Sequence, residues 1–329
     1  MQPSFRIPWG IFCEMGAAFM ENRIVVMGGR PLNGAVRIPA AKNSVLPLLA
    51  ASMLCGDVRL RAVPRLSDVA ASLALLRGAG CAARWEGEDV LVSGAPQNSS
   101  LPGQTAEQMR ASILFCAPLL AKLGRAETSL PGGCNIGARP IDLHLAGLRQ
   151  MGAVEWEAGP GRLVLTAPSG LHGAEIILRF PSVGATETLV LAAACARGTT
   201  VLRGAAREPE IADLAAFLNR CGAHIQGAGS STLCIEGRRN LSGCVFSPLP
   251  DLRGGAALVV AALAASGTSV IGHPEHIDRG YAAFTEILSS LGAQIRREER
   301  SRNPSAKKTS SKKQNHLAIG TKRWYDTVI

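Results

Sequence analysis

The sequence predicts an α/β (α+β) fold built from copies of one βαβαββ unit. Four similar turns end helical stretches, and their marker residues, 72, 70 and 70 positions apart, are Gly80, Gly152, Gly222 and Gly292. Each turn follows two helix patterns separated by a short β-like run, and each of the first two precedes a pair of alternating β-runs. Because glycine ends a helix in the left-handed conformation at small steric cost, we expect a positive φ at these positions. The repeat indicates duplicated subdomains, and it fixes architecture without indicating any chemistry.

The elements follow from this pattern in order. Ala/Leu-rich runs predict the first helix of each unit, over residues 45–54, 111–123, 188–196 and 255–265. Alternating runs predict strand pairs over 82–93 and 154–167. Residues 240–250 are expected to be the closing strand of the third unit. The chain then enters the helix of a fourth unit, which has no equivalent neighbours to complete a second set of three.

Composition excludes several classes of protein. The 329 residues are 47% hydrophobic and 18% charged, enough for two domains with cores, so disorder is excluded for most of the chain. Gly and Pro show no fixed short period, which excludes collagen. The longest weakly polar run, 254–266, is shorter than the ~20 residues a bilayer requires. Aromatic residues make up only 4%, which argues against stacking on single-stranded nucleic acid.

The positive charge is concentrated in the tail. Residues 301–329 carry seven Lys or Arg and a single acid, Asp326, which accounts for +6 of the net +10. The preceding chain is mildly basic, which favours an enzyme for small anions over a nucleic-acid-binding protein. The nine cysteines show no CxxC spacing, which is typical of reduced thiols and predicts a cytoplasmic protein.

The segment 130–144 is the sharpest candidate for chemistry. Three glycines surround Cys134, and Arg139 lies five residues on, where a guanidinium favours the thiolate and binds an anion. Pro140 is expected to begin a helix with Asp142 in its first turn, where the helix dipole favours an acid. The alternative is a surface loop with an unreactive thiol.

Other segments have the character of anion sites. Lys42 and Asn43 precede one predicted helix, and Ser182 and Val183 precede another, where small and polar residues let an anion approach backbone N–H groups. Three arginines stand at helix edges and suit an anion pocket: Arg110, Arg253 and Arg279. Each of these is equally compatible with an ordinary capped helix start or a solvated surface side chain. His144 and His276 lack metal-ligand spacing and are expected to be structural.

Taken together, seven motifs resemble the enolpyruvyl transferase family, and within it the UDP-N-acetylglucosamine 1-carboxyvinyltransferases. They run in family order across roughly residues 20–300. They are Ala-Lys-Asn-Ser (41–44), Met-Arg-Ala-Ser-Ile (109–113), Leu-Pro-Gly-Gly-Cys-Asn-Ile-Gly-Ala-Arg-Pro-Ile-Asp-Leu-His (130–144), Pro-Ser-Val-Gly-Ala-Thr-Glu (181–187), Ala-Arg-Glu-Pro-Glu-Ile-Ala-Asp-Leu (206–214), Asp-Leu-Arg-Gly-Gly-Ala-Ala-Leu-Val (251–259) and His-Ile-Asp-Arg-Gly-Tyr (276–281). The related shikimate-pathway transferase shares the fold but lacks the Cys loop, which makes it the poorer match.

The resemblance implies an inside-out α/β barrel of two three-unit domains. It also implies transfer of the enolpyruvyl group of phosphoenolpyruvate to the 3′-hydroxyl of UDP-N-acetylglucosamine, the first step of peptidoglycan synthesis. Neither metal nor cofactor, nor any membrane or nucleic-acid partner, is implied.

The resemblance also implies a role for each motif residue. Cys134 would be the proton donor, the site of a phosphoenolpyruvate adduct and the target of fosfomycin. Phosphoenolpyruvate would be held by Lys42, Arg139 and Arg279, with Arg253 nearby. The UDP-sugar would be bound by Asn43, Arg110, Arg139, Pro140, Ile141, Asp142, Leu143, Ser182 and Val183.

The chain also departs from the family. We expect an N-terminal extension over 1–19, a complete three-unit domain over 42–249, a truncated domain of 20–41 plus 250–300, and a disordered basic tail over 301–329. Two units are expected to be missing at the Pro250-Asp251 seam, as in an internally deleted gene product. The family's Phe-Pro-Thr-Asp segment, whose Asp is the base for the sugar hydroxyl, is absent, and loss of such a base costs about 10²–10⁴-fold. The alternative function is an inactive remnant that binds the UDP-sugar without turnover.

Overall fold

The structure is a computed structural model that describes residues 33–130, 140–157, 161–272 and 283–297, together with Pro274, Ile277 and Tyr281. The chain divides into two compact units after Phe284. The first unit contains nearly all of the described elements. The second contains the greater part of one short helix and the residues that follow it.

The described strands are short. They are β1 (Gly34–Val36), β2 (Val58–Leu60), β3 (Ala82–Glu86), β4 (Asp89–Ser93), β5 (Arg125–Ser129), β6 (Val154–Glu157), β7 (Arg162–Thr166), β8 (Glu175–Ile177), β9 (Thr199–Arg203), β10 (His224–Gln226), β11 (Thr232–Glu236), β12 (Val245–Phe246) and β13 (Ser269–Ile271).

The described α-helices alternate with these strands. They are α1 (Lys42–Ala51), α2 (Ser67–Gly78), α3 (Gly103–Glu107), α4 (Cys116–Leu123), α5 (Asp142–Gln150), α6 (Val183–Ala194), α7 (Pro209–Arg220), α8 (Leu252–Leu263) and α9 (Phe284–Ser290). Two 3-10 helices, Ser52–Leu54 and Arg110–Phe115, extend α1 and lead into α4.

Three sheets repeat the same strand order, as the internal repeat predicts. The third unit has the order β10-β11-β9-β8, in which β8 is parallel to β9 and the other neighbours are antiparallel. The second unit has the order β5-β7-β6, and the parallel edge position is reduced to a bridge between Ser100 and Glu127. The sequence prediction of a repeated βαβαββ unit is therefore confirmed for this region.

The closing segment of the domain corrects one prediction. Residues 240–250 were expected to complete the third unit, but β12 pairs in parallel with β2 and so completes the sheet of the first unit, β12-β2-β4-β3. Hydropathy along the chain cannot show this, because it gives a strand's faces and not the sheet that the strand joins. The pairing joins the chain that follows the third repeat unit to the sheet of the first repeat unit.

The helices that begin each unit form the core. Helix α6 is buried continuously from Ala185 to Ala194, and α1 from Ser44 to Ala51. A helix that is apolar on all sides must be surrounded by other elements, and here α2, α4, α5 and α7 pack against these two. The strands alternate between buried and exposed residues, so the sheets have an outer face toward solvent. Helices inside and sheets outside match the inside-out barrel that the resemblance implies.

The repeat glycines have the predicted conformation. The φ values are +94° at Gly80, +93° at Gly152 and +97° at Gly222, which end helices in the three repeat units. Gly292, which lies after Phe284 in the second compact unit, has a φ of +93°. Each ends a helix where a side chain would be strained, so the sequence marker is a consequence of helix termination.

The part of the first compact unit that follows Asp251 is sparsely packed. Strand β1 pairs in parallel with β13 in a two-stranded sheet, and α8 buries only Gly255, Ala256 and Val259. Val260 is 57% exposed and Val270 56%. The boundaries and the truncation expected for this part of the chain stay predictions. Within the described ranges, every helix is too short or too polar to cross a membrane.

Candidate functional site

The first two turns of several helices from the three repeat units are joined by side-chain contacts. Ser44, in the first turn of α1, donates its hydroxyl to the Asp213 carboxylate of α7, and both side chains are buried. The same Asp213 oxygen accepts the backbone N–H of Leu249 at 3.1 Å. One carboxylate therefore joins the start of α1, the second turn of α7 and the segment that leads to α8.

The next contacts run through α2. Lys42, the first residue of α1, forms an ion pair with Asp68 in the first turn of α2, with 3.0 Å between Nζ and Oδ2. One turn on, Ser72 donates its hydroxyl to the Met109 sulfur at 3.5 Å. Met109 immediately precedes Arg110, so α2 contacts the segments of both cations predicted to bind substrate.

Further contacts link Arg110 to α5, and α5 to α6. Its guanidinium donates to the Pro140 carbonyl at 3.3 Å, just before α5 begins. In the first turn of α5, His144 Nδ1 lies 2.8 Å from Thr188 Oγ1 of α6. A Cβ at Gly184 would lie 3.1 Å from the His144 ring, so glycine lets the two helix starts approach closely.

Helix α6 contacts the segment that leads into α7. Ser182 is its N-cap, and its hydroxyl accepts the N–H of Ala185 at 3.4 Å. The Thr186 hydroxyl accepts the N–H of Ala206 at 3.1 Å, shortly before α7 begins at Pro209. The contacts therefore close a ring, which we call the helix-start ring: the first two turns of α1, α2, α5, α6 and α7 with the 3-10 helix at Arg110.

The helix-start ring has the electrostatics of an anion site. Each helix N-terminus carries unpaired N–H groups and about half a positive charge, and five α-helices begin here. Lys42 has a side chain 50% exposed, Asn43 is exposed and Arg110 is half-buried, so cationic and polar groups reach solvent at the same place. The arrangement suits a ligand with several negative charges.

A small cleft opens beside α7, next to the segments that precede α1 and α8. The two crossing segments are paired, with Ala41 N–H to Leu249 O at 2.7 Å and Asp251 N–H to Pro39 O at 2.8 Å. The cleft is shallow, with an internal volume of about 10 Å³, and is lined by Ala41, Pro209, Glu210 and residues 249–253. It lies one helix turn from the Ser44–Asp213 contact.

Arg253 and Glu210 face each other in this cleft. Arg253 Nη1 lies 3.5 Å from Glu210 Oε1, and the Glu210 side chain is only 6% exposed. The other carboxylate oxygen, Oε2, is buried without a hydrogen-bond partner. A buried acceptor of this kind is costly unless a donor reaches it.

Two titratable groups in the ring have shifted pKa values. Burial, followed by the charges of Glu210 and Glu208, raises the pKa of Glu187 to about 8. Burial, followed by the charge of Arg110, lowers the pKa of His144 to about 4. At neutral pH both side chains are therefore mostly uncharged, so neither adds a full charge to the ring.

The structure places ten of the thirteen predicted site residues. Lys42, Asn43, Arg110, Pro140, Ile141, Asp142, Leu143, Ser182 and Val183 belong to or adjoin the helix-start ring, and Arg253 lines the cleft. Asp142 pairs with Arg179, which was not predicted. Cys134, Arg139 and Arg279 lie outside the described residues.

Some helix boundaries differ from the prediction. Helix α1 begins at Lys42 and α6 at Val183, three to five residues before the predicted starts at 45 and 188. Helix α5 begins at Asp142 and not at Pro140. The prediction followed runs of large apolar side chains, whereas the first turns of α1 and α6 contain polar or small residues, so these site residues lie inside or against the helices.

Sequence reasoning missed the acids of the site. Asp68, Glu210 and Asp213 are the acidic partners in the ring and cleft, and Glu187 is a protonated acid beside them. Glu187, Glu210 and Asp213 are buried. Glu210 and Asp213 lie in the Arg-Glu-Pro-Glu-Ile-Ala-Asp run quoted for the resemblance, where a Pro at the first helical position marks the start of α7. That helix start was the available signal. Within the described residues, no cluster of three or more His, Cys, Asp or Glu side chains is arranged to hold a metal ion.

The chain belongs to the EPSP synthase (3-phosphoshikimate 1-carboxyvinyltransferase) family of enolpyruvyl transferases, whose model matches residues 26–319. Within this enzyme family, a protein of Oleidesulfovibrio alaskensis named UDP-N-acetylglucosamine 1-carboxyvinyltransferase is 42% identical over 279 residues, 84% of this chain and 66% of the relative. A protein of the same name from Acidiphilium cryptum is 48% identical over 277 residues, 83% of this chain and 65% of the relative. The resemblance drawn from the seven motifs is confirmed. The chain spans just under two thirds of the length of these relatives.

Solved structures agree on the fold. The enolpyruvyl transferase NikO from Streptomyces tendae matches with a TM-score of 0.70 and 25% identity, over 80% of this chain and 64% of that protein. EPSP synthase from Acinetobacter baumannii matches with a TM-score of 0.62 and 19% identity, over 81% of this chain and 61% of that protein. The predicted α/β class is confirmed.

Proposed function

We propose that this chain transfers the enolpyruvyl group of phosphoenolpyruvate to the 3′-hydroxyl of UDP-N-acetylglucosamine, in the first step of peptidoglycan synthesis. The helix-start ring is the observation that carries this proposal. Both substrates are phosphorylated anions, and the ring gathers helix N-termini and cations from six separate segments. The relatives with 42–48% identity carry the name of this activity.

We assign the UDP-sugar to the side of the ring built from the Arg110 segment, α5 and α6. Arg110 contacts Pro140, and His144 joins α5 to α6, so the segments holding Arg110, residues 140–143 and Ser182–Val183 are adjacent. Backbone N–H groups at the start of α6 and the guanidinium of Arg110 suit a diphosphate. Asn43 contributes from α1.

We assign phosphoenolpyruvate to the side of the ring formed by α1 and the cleft. Lys42 is half-exposed there, and Arg253 lines the cleft against Glu210. Arg139 and Arg279 complete this set by the resemblance. The ion pair of Lys42 with Asp68 leaves the ammonium at the surface, where an incoming phosphate competes with a carboxylate for it.

The chemistry follows the resemblance. The sugar hydroxyl adds to C2 of phosphoenolpyruvate while Cys134 protonates C3, and phosphate leaves after C3 loses a proton again. The chain's own Asp251 caps α8 by accepting the N–H of Arg253 and of Gly254, so it is engaged structurally and is not assigned as the base. Turnover is therefore expected to be low. Because both substrates are charged metabolites, we place the activity in the cytoplasm.

The alternative is a chain that binds the UDP-sugar without turnover. The sparse packing after Asp251 favours it, since α8 buries three residues and Val260 and Leu263 remain exposed. Binding needs only the α5–α6 side of the ring, whereas transfer also needs the cleft and residues beyond it.

Release of phosphate from phosphoenolpyruvate in the presence of UDP-N-acetylglucosamine tests the proposal. Activity is expected to depend on both substrates and to be abolished in Cys134→Ala, while Cys234→Ala, which removes an exposed thiol outside the ring, is the matched control. Release no faster than in Cys134→Ala, with saturable UDP-sugar binding, supports the non-catalytic alternative. Absence of both activity and binding overturns both.

A further inference from the structure

The segment that closes the domain, residues 244–249, runs antiparallel to α7 and is held to it by three contacts. We call residues 244–249 the closing segment. The contacts are evenly spaced along the helix and join Cys221 to Cys244, Phe217 to Phe246 and Asp213 to Leu249. The phenylalanine rings meet edge to face, with centroids 5.4 Å apart at 81°. The closing segment is thus fastened along the length of α7, and one of its three fastenings is a pair of thiols.

The two thiols are close enough to be joined. The sulfurs of Cys221 and Cys244 are 3.4 Å apart, and a disulfide requires a further approach of roughly 1.3 Å. Hydrogen bonds fix both backbones: Ser242 N–H donates to Cys221 O at 2.8 Å, and Arg59 N–H donates to Cys244 O at 2.9 Å. The pair is therefore preorganised by the helix end and by the β12–β2 pairing.

We propose that Cys221 and Cys244 form an intramolecular disulfide by exchange with a low-molecular-weight disulfide such as oxidised glutathione. Cys244 is half-buried and Cys221 is buried, so the Cys244 thiolate attacks the incoming disulfide and releases one glutathione thiolate. Deprotonated Cys221 then attacks Cys244 Sγ and releases the second. The protein loses two electrons as two thiols become one disulfide, and the reagent gains them as two glutathione molecules.

The environment of the pair sets the rate of this exchange. The hydrogen bond with Cys221, followed by burial, raises the pKa of the Cys244 thiol. For Cys221 the hydrogen bond with Cys244 acts downward, but the hydrogen bond with Cys55 and burial raise its pKa to about 12. Since only the thiolate attacks, exchange is slow at neutral pH and accelerates as the pH rises.

The bond would fix the closing segment on α7. It would enclose the 22 residues between the two cysteines, and closing a loop of that size raises the stability of the folded chain. Because the closing segment ends at Leu249, which lines the cleft, oxidation would also restrict movement of the chain at the cleft. This inference is independent of the proposed activity, since its test needs no substrate.

The experiment uses the full chain treated with oxidised glutathione at about pH 8.5, where thiolate is more abundant. Digestion without reduction and mass spectrometry are expected to show the Cys221–Cys244 linkage, reversed by dithiothreitol. The melting temperature is expected to rise by about 5–10 °C. Cys244→Ser should lose both the linkage and the rise, whereas Cys234→Ser, with its exposed thiol removed, should keep both.

Several results would overturn the inference. They are a Cys55–Cys221 linkage in its place, glutathione attached to Cys234 while Cys221 and Cys244 stay reduced, or a linkage that leaves the melting temperature unchanged. Because the linkage is identified in the wild-type chain, the conclusion does not depend on whether a variant folds.

Discussion

Ser44 donates its hydroxyl to the carboxylate of Asp213, 169 positions further along the chain. The oxygen that receives this hydrogen bond also accepts the N–H of Leu249 at 3.1 Å. Ser44 lies two residues after Lys42, and Leu249 stands at the edge of the cleft. This one buried carboxylate therefore sets the position of the helix-start ring relative to the cleft.

Asp213→Asn is expected to lower the free energy of unfolding by about 1–3 kcal/mol, because it weakens charge-assisted hydrogen bonds at a buried acceptor. Urea unfolding measures the change. Asp57→Asn alters an exposed acid outside the ring and should change the free energy by less than about 0.5 kcal/mol. Equal stability of Asp213→Asn and wild type would show that the carboxylate does not join the three segments.

Glu187 predicts a loss of stability as the pH rises. Its pKa is raised to about 8 in the folded chain, from an ordinary value of 4.5, so the folded state binds one more proton between these values. The contribution is present below pH 4.5 and is lost as the pH rises toward 8, with a slope approaching ~1.4 kcal/mol per pH unit. Glu187→Gln should flatten this slope in urea unfolding between pH 5.5 and 7.5. The exposed-site control Glu107→Gln should retain it, and an unflattened slope in Glu187→Gln would refute the assignment.

His144 predicts the opposite dependence at lower pH. Its pKa is lowered to about 4 when folded, from an ordinary 6.5, so the unfolded chain binds a proton first as the pH falls. Its contribution is present above pH 6.5 and is lost between pH 6.5 and 4. Thermal unfolding of His144→Gln should show a smaller decline over this range than wild type. His172→Gln, at an exposed histidine, should decline as wild type does. A decline in His144→Gln as steep as in wild type would contradict the assigned cause.

Thiol labelling tests the assignment of Cys134. Fosfomycin or iodoacetamide is expected to modify Cys134 before the other eight cysteines, because only this thiol combines a glycine-rich loop with a nearby guanidinium. Burial raises the pKa of Cys81 to about 11 and of Cys116 to about 12, which should make both slow to react. Exposed Cys234 is the internal reference, read by mass spectrometry over time. Labelling of Cys234 at the rate of Cys134 would argue against the assignment.

Much of the fold was predictable because the positions of glycines and the spacing of apolar residues show the repeat in the sequence. Gly80, Gly152 and Gly222 end helices in the left-handed conformation that the sequence analysis expected. The strand pairs predicted over 82–93 and 154–167 are β3–β4 and β6–β7. These features are local, so the sequence alone determines them.

The features that were missed depend on contacts between distant segments. No local pattern shows that β12 joins the sheet of β2, or that Asp213 receives Ser44 and Leu249. The seven motifs contain the cations predicted for the site, because cations were expected for anionic substrates. The buried acids opposite them, such as Glu210, were overlooked because an anion site is expected to exclude carboxylates. The sequence does not show that Glu210 is paired with Arg253.

The most direct measurement for the central claim is equilibrium binding of UDP-N-acetylglucosamine by isothermal titration calorimetry. Wild type is expected to bind saturably, with affinity that falls as salt is raised, because helix N-termini and cations supply the attraction. Arg110→Ala should bind at least about tenfold more weakly, as expected for a lost charge-assisted hydrogen bond, while Arg84→Ala, at an exposed arginine on β3, should bind as wild type does. No saturable binding by wild type, or equal affinities for the two variants, would contradict the placement of the substrate at the helix-start ring.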